Sequence, residues 1–230
     1  MAEVAGKVAW VVGGSGLTGS LLLRSLLATP VYARVLAISR RPLPFEHPRL
    51  ANRILRFEQL ETELRGQRCD DAFCCLGTTR RAAGSSAGYH EVDHDLTLRF
   101  ARCAQQAGAR QLLVVSSISA DARSRNPYLR TKGETETALE RLQFPALHIM
   151  QPGLLLGARR EIRYGEQAAA LLFAIINPLL LGRWQDWRAI AAADVAAAMC
   201  AAALQGRLGV HRHRYGSMRR LLPSRSTGRM

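Results

Sequence analysis

The chain has 230 residues, 48% of them hydrophobic, and a formal net charge of +14. That length and apolar content support one sizeable packed domain and exclude wholesale disorder. Lys7 and Lys132 are the only lysines, and the arginines are scattered, with pairs at Arg40-Arg41, Arg80-Arg81 and Arg159-Arg160. Scatter argues against a nucleic-acid-binding stripe, and for an arginine-biased genome with one or two pairs recruited to phosphate.

Residues 8–12, VAWVV, form a β-branched run that predicts the first strand. Gly13-Gly14-Ser15-Gly16-Leu17-Thr18-Gly19 follow at once, and a helical pattern covers 17–28. Glycines at 13, 16 and 19 make a variant of the dinucleotide fingerprint. Without a Cβ the backbone can approach a pyrophosphate, and the new helix offers free N–H groups to it. Gly13, Ser15, Gly16, Leu17, Thr18 and Gly19 are therefore expected to hold a dinucleotide.

RVLAIS (34–39) predicts the second strand, which ends in Ser39-Arg40-Arg41. An NAD-selective chain places Asp or Glu there, whereas arginine suits a 2′-phosphate. NADP(H) is the cofactor this implies; the plainer reading is two solvated arginines ahead of a Pro-rich loop. RILRF (53–57) and DAFCCLG (71–77) predict strands three and four, and the loop Leu76-Gly77-Thr78 is expected to border the cofactor. A helix over 94–108 stops at Gly108, and QLLVVSS (111–117) predicts strand five. A helix over 128–142 and a strand over 145–153 come next, the latter ending in Pro152-Gly153, a rigid turn that could floor a nicotinamide site. A helix is expected over about 192–204.

The β-α repetition predicts an α/β doubly wound parallel sheet with helices on both faces, a Rossmann fold. One NAD(P)-binding domain is expected over 1–221, its substrate-side elements mainly at 154–190, with 222–230 a flexible basic tail.

Tyr128 and Lys132 lie four apart on a predicted helix and so share a face. A nearby ammonium favours phenolate, which lets a tyrosine exchange a proton with a carbonyl or alcohol oxygen. The lysine can also hold ribose hydroxyls. Ser116 and Ser117 end strand five, at the edge where ligands bind. Ser117 is the preferred substrate contact, with Ser119 as a spare. Trp184 and Trp187 could wall a pocket or close the core. Asp194 reads as a helix N-terminal residue, not a catalyst.

The five cysteines form no C-x-x-C pair, and Cys74-Cys75 read as small hydrophobes. With no leader ahead of the first strand, this fits a reducing cytosol, so a cytoplasmic protein is expected. The longest apolar run, 168–182, is short and Pro-broken, so no membrane span is expected. The histidines at 47, 90, 94, 148, 211 and 213 suggest no metal site, and His211 and His213 read as solvated.

Together GGSGLTG, ISRRPL, FCCLGTTR, VVSS, YLRTKGETE and QPGLLLGARREIRYGE resemble the short-chain dehydrogenase/reductase superfamily in its atypical branch. More narrowly, the chain is similar to the Tat-interacting-protein-like oxidoreductases and their bacterial relatives, over roughly residues 5–205. The resemblance implies NADPH bound across the sheet edge. Its cofactor contacts fall on Ser15, Gly16, Leu17, Thr18, Arg40, Arg41, Leu76 and Gly77, with Leu155 and Arg163 toward the nicotinamide and diphosphate. Tyr128 and Lys132 match the family's catalytic pair. Two positions depart from the pattern: Arg56 stands where relatives often have an acidic residue, and Gln151 replaces the arginine usual before Pro-Gly.

The function expected is NADPH-dependent reduction of a small carbonyl substrate, with Tyr128 as proton donor, Lys132 orienting it and Ser117 holding the oxygen. A non-catalytic NADPH sensor is the alternative. The region after strand six is short for a sugar-nucleotide domain, which weighs against an epimerase. Monomer and homodimer are equally consistent with the sequence.

Overall fold

A computed structural model describes residues 6–77, 85–157 and 182–222 of the chain. Thr78, Arg163, the Arg80-Arg81 and Arg159-Arg160 pairs, all but the last residue of the apolar run 168–182 and nearly all of the basic tail lie outside these residues.

The first strand, β1 (Lys7–Val12), is buried on both faces, as its apolar run requires. Trp10 and Val12 enter one core cluster with Leu36, Phe100, Leu112 and Leu147. Ala9 and Val11 enter the opposite cluster with Leu22, Leu26, Phe73, Leu113 and Met199. Helix α1 (Leu17–Ala28) returns the chain to β2 (Tyr32–Ser39), and β3 (Leu50–Ile54) follows. A 3-10 turn (Phe57–Gln59) and α2 (Leu60–Glu63) lead to β4 (Asp71–Cys74). Then come α3 (Ser86–His90), a π turn (Glu91–Asp95) and α4 (Leu96–Gln106). After β5 (Gln111–Val115), α5 (Pro127–Glu140) and β6 (Ala146–Met150), a short pair β7 (Leu155–Leu156) and β8 (Ile190–Ala191) flanks the sheet. Helix α6 (Ala192–Gln205), β9 (Gly209–His213) and α7 (Tyr215–Leu221) complete the described chain.

The seven-stranded sheet has the order β3-β2-β1-β4-β5-β6-β9, and every described pairing is parallel. Strand order reverses between β1 and β4, so a crevice opens there outside the carboxyl ends of the strands. Alanine-rich α6 packs against α1, where small side chains allow close approach.

Several expected boundaries move. Strand three lies at 50–54, not 53–57: Leu50 to Ile54 pair with Val35 to Ser39, after which Leu55 turns into the core and Arg56 opens the 3-10 turn. Strands four, five and six stop at Cys74, Val115 and Met150, short of 77, 117 and 153, because their last residues swing out as loops at the sheet edge. Helix begins at Ser86, not His94, and passes through the π turn, where a buried carboxylate, Asp93, interrupts the apolar periodicity. His213 is buried, not solvated: β9 pairs with β6, and His213 stacks on His148 with ring centroids 5.3 Å apart. Trp184 and Trp187 are half exposed and outside both core clusters.

Candidate functional site

The glycine turn is built by close packing. Gly13 has φ +80°, and a Cβ there would overlap the Cys75 carbonyl at the end of β4. A Cβ on Gly19 would overlap the Gly13 carbonyl oxygen, so α1 can lie tight on its strand only with glycine there. Gly16 differs: a Cβ would meet only the Gly13 oxygen, 3.2 Å away. It is the helix N-cap, and no side chain caps the α1 N-terminus from there. The first-turn N–H groups at Leu17, Thr18 and Gly19 thus face the crevice with the helix dipole behind them, an arrangement suited to phosphate. Ser15 is exposed beside it. This open glycine cradle at the strand-order reversal fits a dinucleotide.

Most of the other expected contacts among the described residues lie along the same edge. Arg40 and Arg41 are exposed at the end of β2, beside the glycine turn, and the Arg40 guanidinium sits 6.0 Å from the Phe57 ring centre. Leu76 and Gly77 follow β4, with the Asp93 carboxylate 4.0 Å from where a Gly77 Cβ would stand. Pro152 and Gly153 follow β6; a Cβ on Gly153 would press on the Trp187 and Arg188 carbonyls at 3.0 Å. Leu155 lies in β7, outside the seven-stranded sheet and paired with Ile190 of β8.

Helix α5 carries the reactive pair. Asn126 caps it, accepting from the Tyr128 N–H at 2.9 Å, and Pro127 stands in the first turn. Tyr128 is 37% exposed at the mouth, and Lys132 is buried one turn deeper. Lys132 Nζ lies 2.6 Å from the Asp93 carboxylate and donates to the Val115 carbonyl at 3.4 Å. Burial by itself would lower the Lys132 pKa. The attraction of Asp93, and then of the Tyr128 oxygen, outweighs it and holds the lysine above its ordinary value. Tyr89 packs on Tyr128 with ring centres 5.8 Å apart. Its phenol is held well above the usual range, first by burial and then by Asp93.

The two serines after β5 separate. Ser116 donates a short bond to the buried Glu136 carboxylate, which also accepts from Gln151 at 3.0 Å. The Ser117 hydroxyl turns instead to the Ile118 carbonyl, 3.3 Å away. Ser119 sits at φ +60°, in the left-handed region, on the same loop. Asp194 lies in the first turn of α6 and binds Arg219 at 2.9 Å.

Four further residues assemble this site beyond those singled out from the sequence. Tyr89 comes from α3 and Asp93 from the π turn after it, and Glu136 braces α5 against the sheet. Gly133 lets the 121–122 loop cross the helix, because a Cβ there would overlap the Ala122 nitrogen. Glu136 and Gly133 lie inside the KGETE string, the one signal that points to them. Asp93 is marked only by a carboxylate breaking an apolar helix face.

The NAD dependent epimerase/dehydratase family description matches residues 9–216. The chain belongs to that family. It is 39% identical to Protein HTATIP2 of Rattus norvegicus over 73% of this chain and 70% of that one. It is 33% identical to Protein FMP52, mitochondrial, of Saccharomyces cerevisiae over 76% and 77%. The fold matches Bordetella bronchiseptica WbmG, solved in complex with NAD, with a TM-score of 0.68 at 17% identity over 96% and 77% of the two chains. The expected cytoplasmic placement is overturned: FMP52 relatives from Emericella nidulans, Candida glabrata and Saccharomyces cerevisiae are named mitochondrial proteins. No helix among the described residues is long and apolar enough to cross a membrane.

Proposed function

We propose that this family member is an NADP(H)-dependent oxidoreductase that reduces a small carbonyl compound. The observation that carries the reading is the buried Lys132 ammonium, clamped by Asp93 one helical turn below an accessible Tyr128 hydroxyl. When bound, the nicotinamide cofactor supplies a hydride. Gly13 to Gly19 hold its diphosphate, and Arg40 with Arg41 grips a 2′-phosphate by bidentate, charge-assisted bonds. Leu76, Gly77, Pro152, Gly153 and Leu155 border the remainder. Tyr128 gives its hydroxyl proton to the substrate oxygen while Ser117 donates a hydrogen bond to the same oxygen. Lys132 stays protonated through neutral pH. Its charge steadies the tyrosinate left behind until solvent at the exposed mouth returns the proton.

The test is a fluorescence titration with NADPH and NADH, repeated on Arg40→Ala and Tyr128→Phe. Tight NADPH binding, weak NADH binding and loss of that preference in Arg40→Ala support the cofactor assignment. Tyr128→Phe should keep NADPH affinity within a few-fold while turnover of a carbonyl substrate falls about 10²–10⁴-fold. An unchanged turnover would remove Tyr128 from the chemistry and favour a sensor.

A further inference from the structure

A second cluster of chemistry-bearing side chains lies on the outer side of the π turn, away from the glycine cradle. His90 and His94 are four residues apart, and the π turn brings their rings to 4.5 Å between centres. Asp95 reaches both: one carboxylate oxygen is 2.7 Å from His94 Nδ1 and the other 3.6 Å from His90 Nδ1. One donor atom from each of the three residues falls within 4.8 Å of the others. From α5, Glu134 Oε2 lies 3.6 Å from the opposite ring nitrogen, His90 Nε2. His90, His94 and Glu134 border a cleft of about 370 Å³, also walled by Thr137 and Arg141.

We propose that His90, His94 and Asp95 form a divalent transition-metal site, with Glu134 as the carboxylate behind His90. Two imidazoles and a carboxylate are the donor set that Zn²⁺ and its neighbours prefer over Ca²⁺ or Mg²⁺. Around a tetrahedral zinc at its usual bond lengths, neighbouring donors stand about 3.3 Å apart. The Asp95 oxygens stand 2.7 Å and 3.6 Å from the two Nδ1 atoms, on either side of that separation, and the shorter contact is a hydrogen bond that an ion would replace. Glu134 adds an observation independent of the three donors. A metal-bound histidine commonly gives its other N–H to a carboxylate, which fixes the tautomer and raises the ligand's basicity. His90 has Asp95 3.6 Å from one nitrogen and Glu134 3.6 Å from the other, so a slight approach of Glu134 on metal binding would complete that arrangement. All four side chains are partly exposed, so an ion enters from solvent and water completes its coordination. Bound metal would tie the π turn to α5. The next residue of that turn, Asp93, faces inward to Lys132, so the site would brace the reactive pair from outside.

The test uses untagged full-length protein, stripped with chelator and titrated with Zn²⁺ alone by calorimetry, with bound zinc counted by elemental analysis. One equivalent at micromolar affinity or tighter is expected. The His90→Ala/His94→Ala double variant should lose at least 100-fold in affinity, and Asp95→Asn and Glu134→Gln about tenfold or more each. His211→Ala is the control and should bind as the parent does. No uptake by the parent, or an affinity unchanged in both the double variant and Asp95→Asn, overturns the assignment. Circular dichroism confirms that each variant is folded.

Discussion

Asp93 is the residue on which the reactive pair depends. Its carboxylate is the counter-charge that keeps Lys132 ionised in a buried place, and its backbone carbonyl accepts from Thr135 at 3.2 Å. Removing one partner of a buried ion pair leaves the other charge uncompensated, which costs about 3–5 kcal/mol. Asp93→Ala should therefore lower stability by that order in denaturant unfolding at pH 7. Lys132 should then titrate below its ordinary value instead of above it. The pH dependence has a definite sign. A lysine raised in the folded state contributes fully below about pH 10.5 and loses the contribution as pH climbs through its raised value. The parent should lose stability above that pH, whereas Asp93→Ala should gain stability as pH rises toward about 10.5, because its buried lysine gives up its proton before the unfolded one does. A parent curve flat through alkaline pH would remove the ion pair from the stability of the fold. Tyr128, Lys132 and Ser117 were legible from spacing on a helix and a strand end. Asp93 was not, because its partner is 39 residues away and only the sheet brings them together.

At the scale of elements, α5 shows how one glycine and one carboxylate set a helix in place. In a solvent-facing helix, Gly→Ala gains up to about 1 kcal/mol. At Gly133 the new methyl would overlap backbone atoms of Asp121 and Ala122, which no rotamer change relieves. Gly133→Ala should instead destabilise by about 1–3 kcal/mol, seen as a lower Tm, and should weaken turnover by displacing Tyr128 and Lys132. A Tm equal to or above that of the parent would contradict this packing. The β6–β9 pair carries a second element-scale device. His148 and His213 are buried against each other at 3.0 Å, and burial, followed by the neighbouring histidines and Arg207, pulls each pKa down to about 4. Both are neutral in the folded protein and protonate more readily once unfolded. Stability is thus fully present above about pH 6.5 and falls as pH drops toward 4, by on the order of a few kcal/mol. His148→Phe should flatten the slope of stability against pH in that window. An unchanged slope would assign the acid loss to carboxylates. Nothing in the local sequence showed that His213 would stack inside, since its partner His148 lies 65 residues away.

At the scale of the molecule, the amino ends of the strands are tied by a network around buried Asp71. It accepts from the Tyr32 hydroxyl and from Gln111 Nε2, each at 2.7 Å, and pairs with Lys7 at 3.1 Å. Gln111 also donates to the Ala203 carbonyl of α6 at 3.0 Å. One carboxylate therefore joins β1, β2, β4, β5 and a helix at the end of the sheet opposite the crevice. Burial, then Asp71, holds the Tyr32 phenol far above its usual range. Asp71→Ala strands these buried donors and should cost about 3–5 kcal/mol, while NADPH affinity of the folded fraction stays within a few-fold. A collapse of cofactor affinity with little change in Tm would place Asp71 in the site and not in the scaffold.

The strand-glycine-helix start, the β-α alternation and the arginine pair after β2 were written in local sequence. Each rests on backbone geometry or periodicity within a few residues, and that sufficed for the fold class and for most positions around the crevice. The tertiary structure decided which side chains meet. Asp93 against Lys132, Glu136 against Ser116 and Gln151, and His90, His94 and Asp95 against Glu134 all join segments that only the parallel sheet and its flanking helices bring within bonding distance. Local propensity cannot encode such contacts, because their energy exists only once both partners have been taken out of water and set against each other.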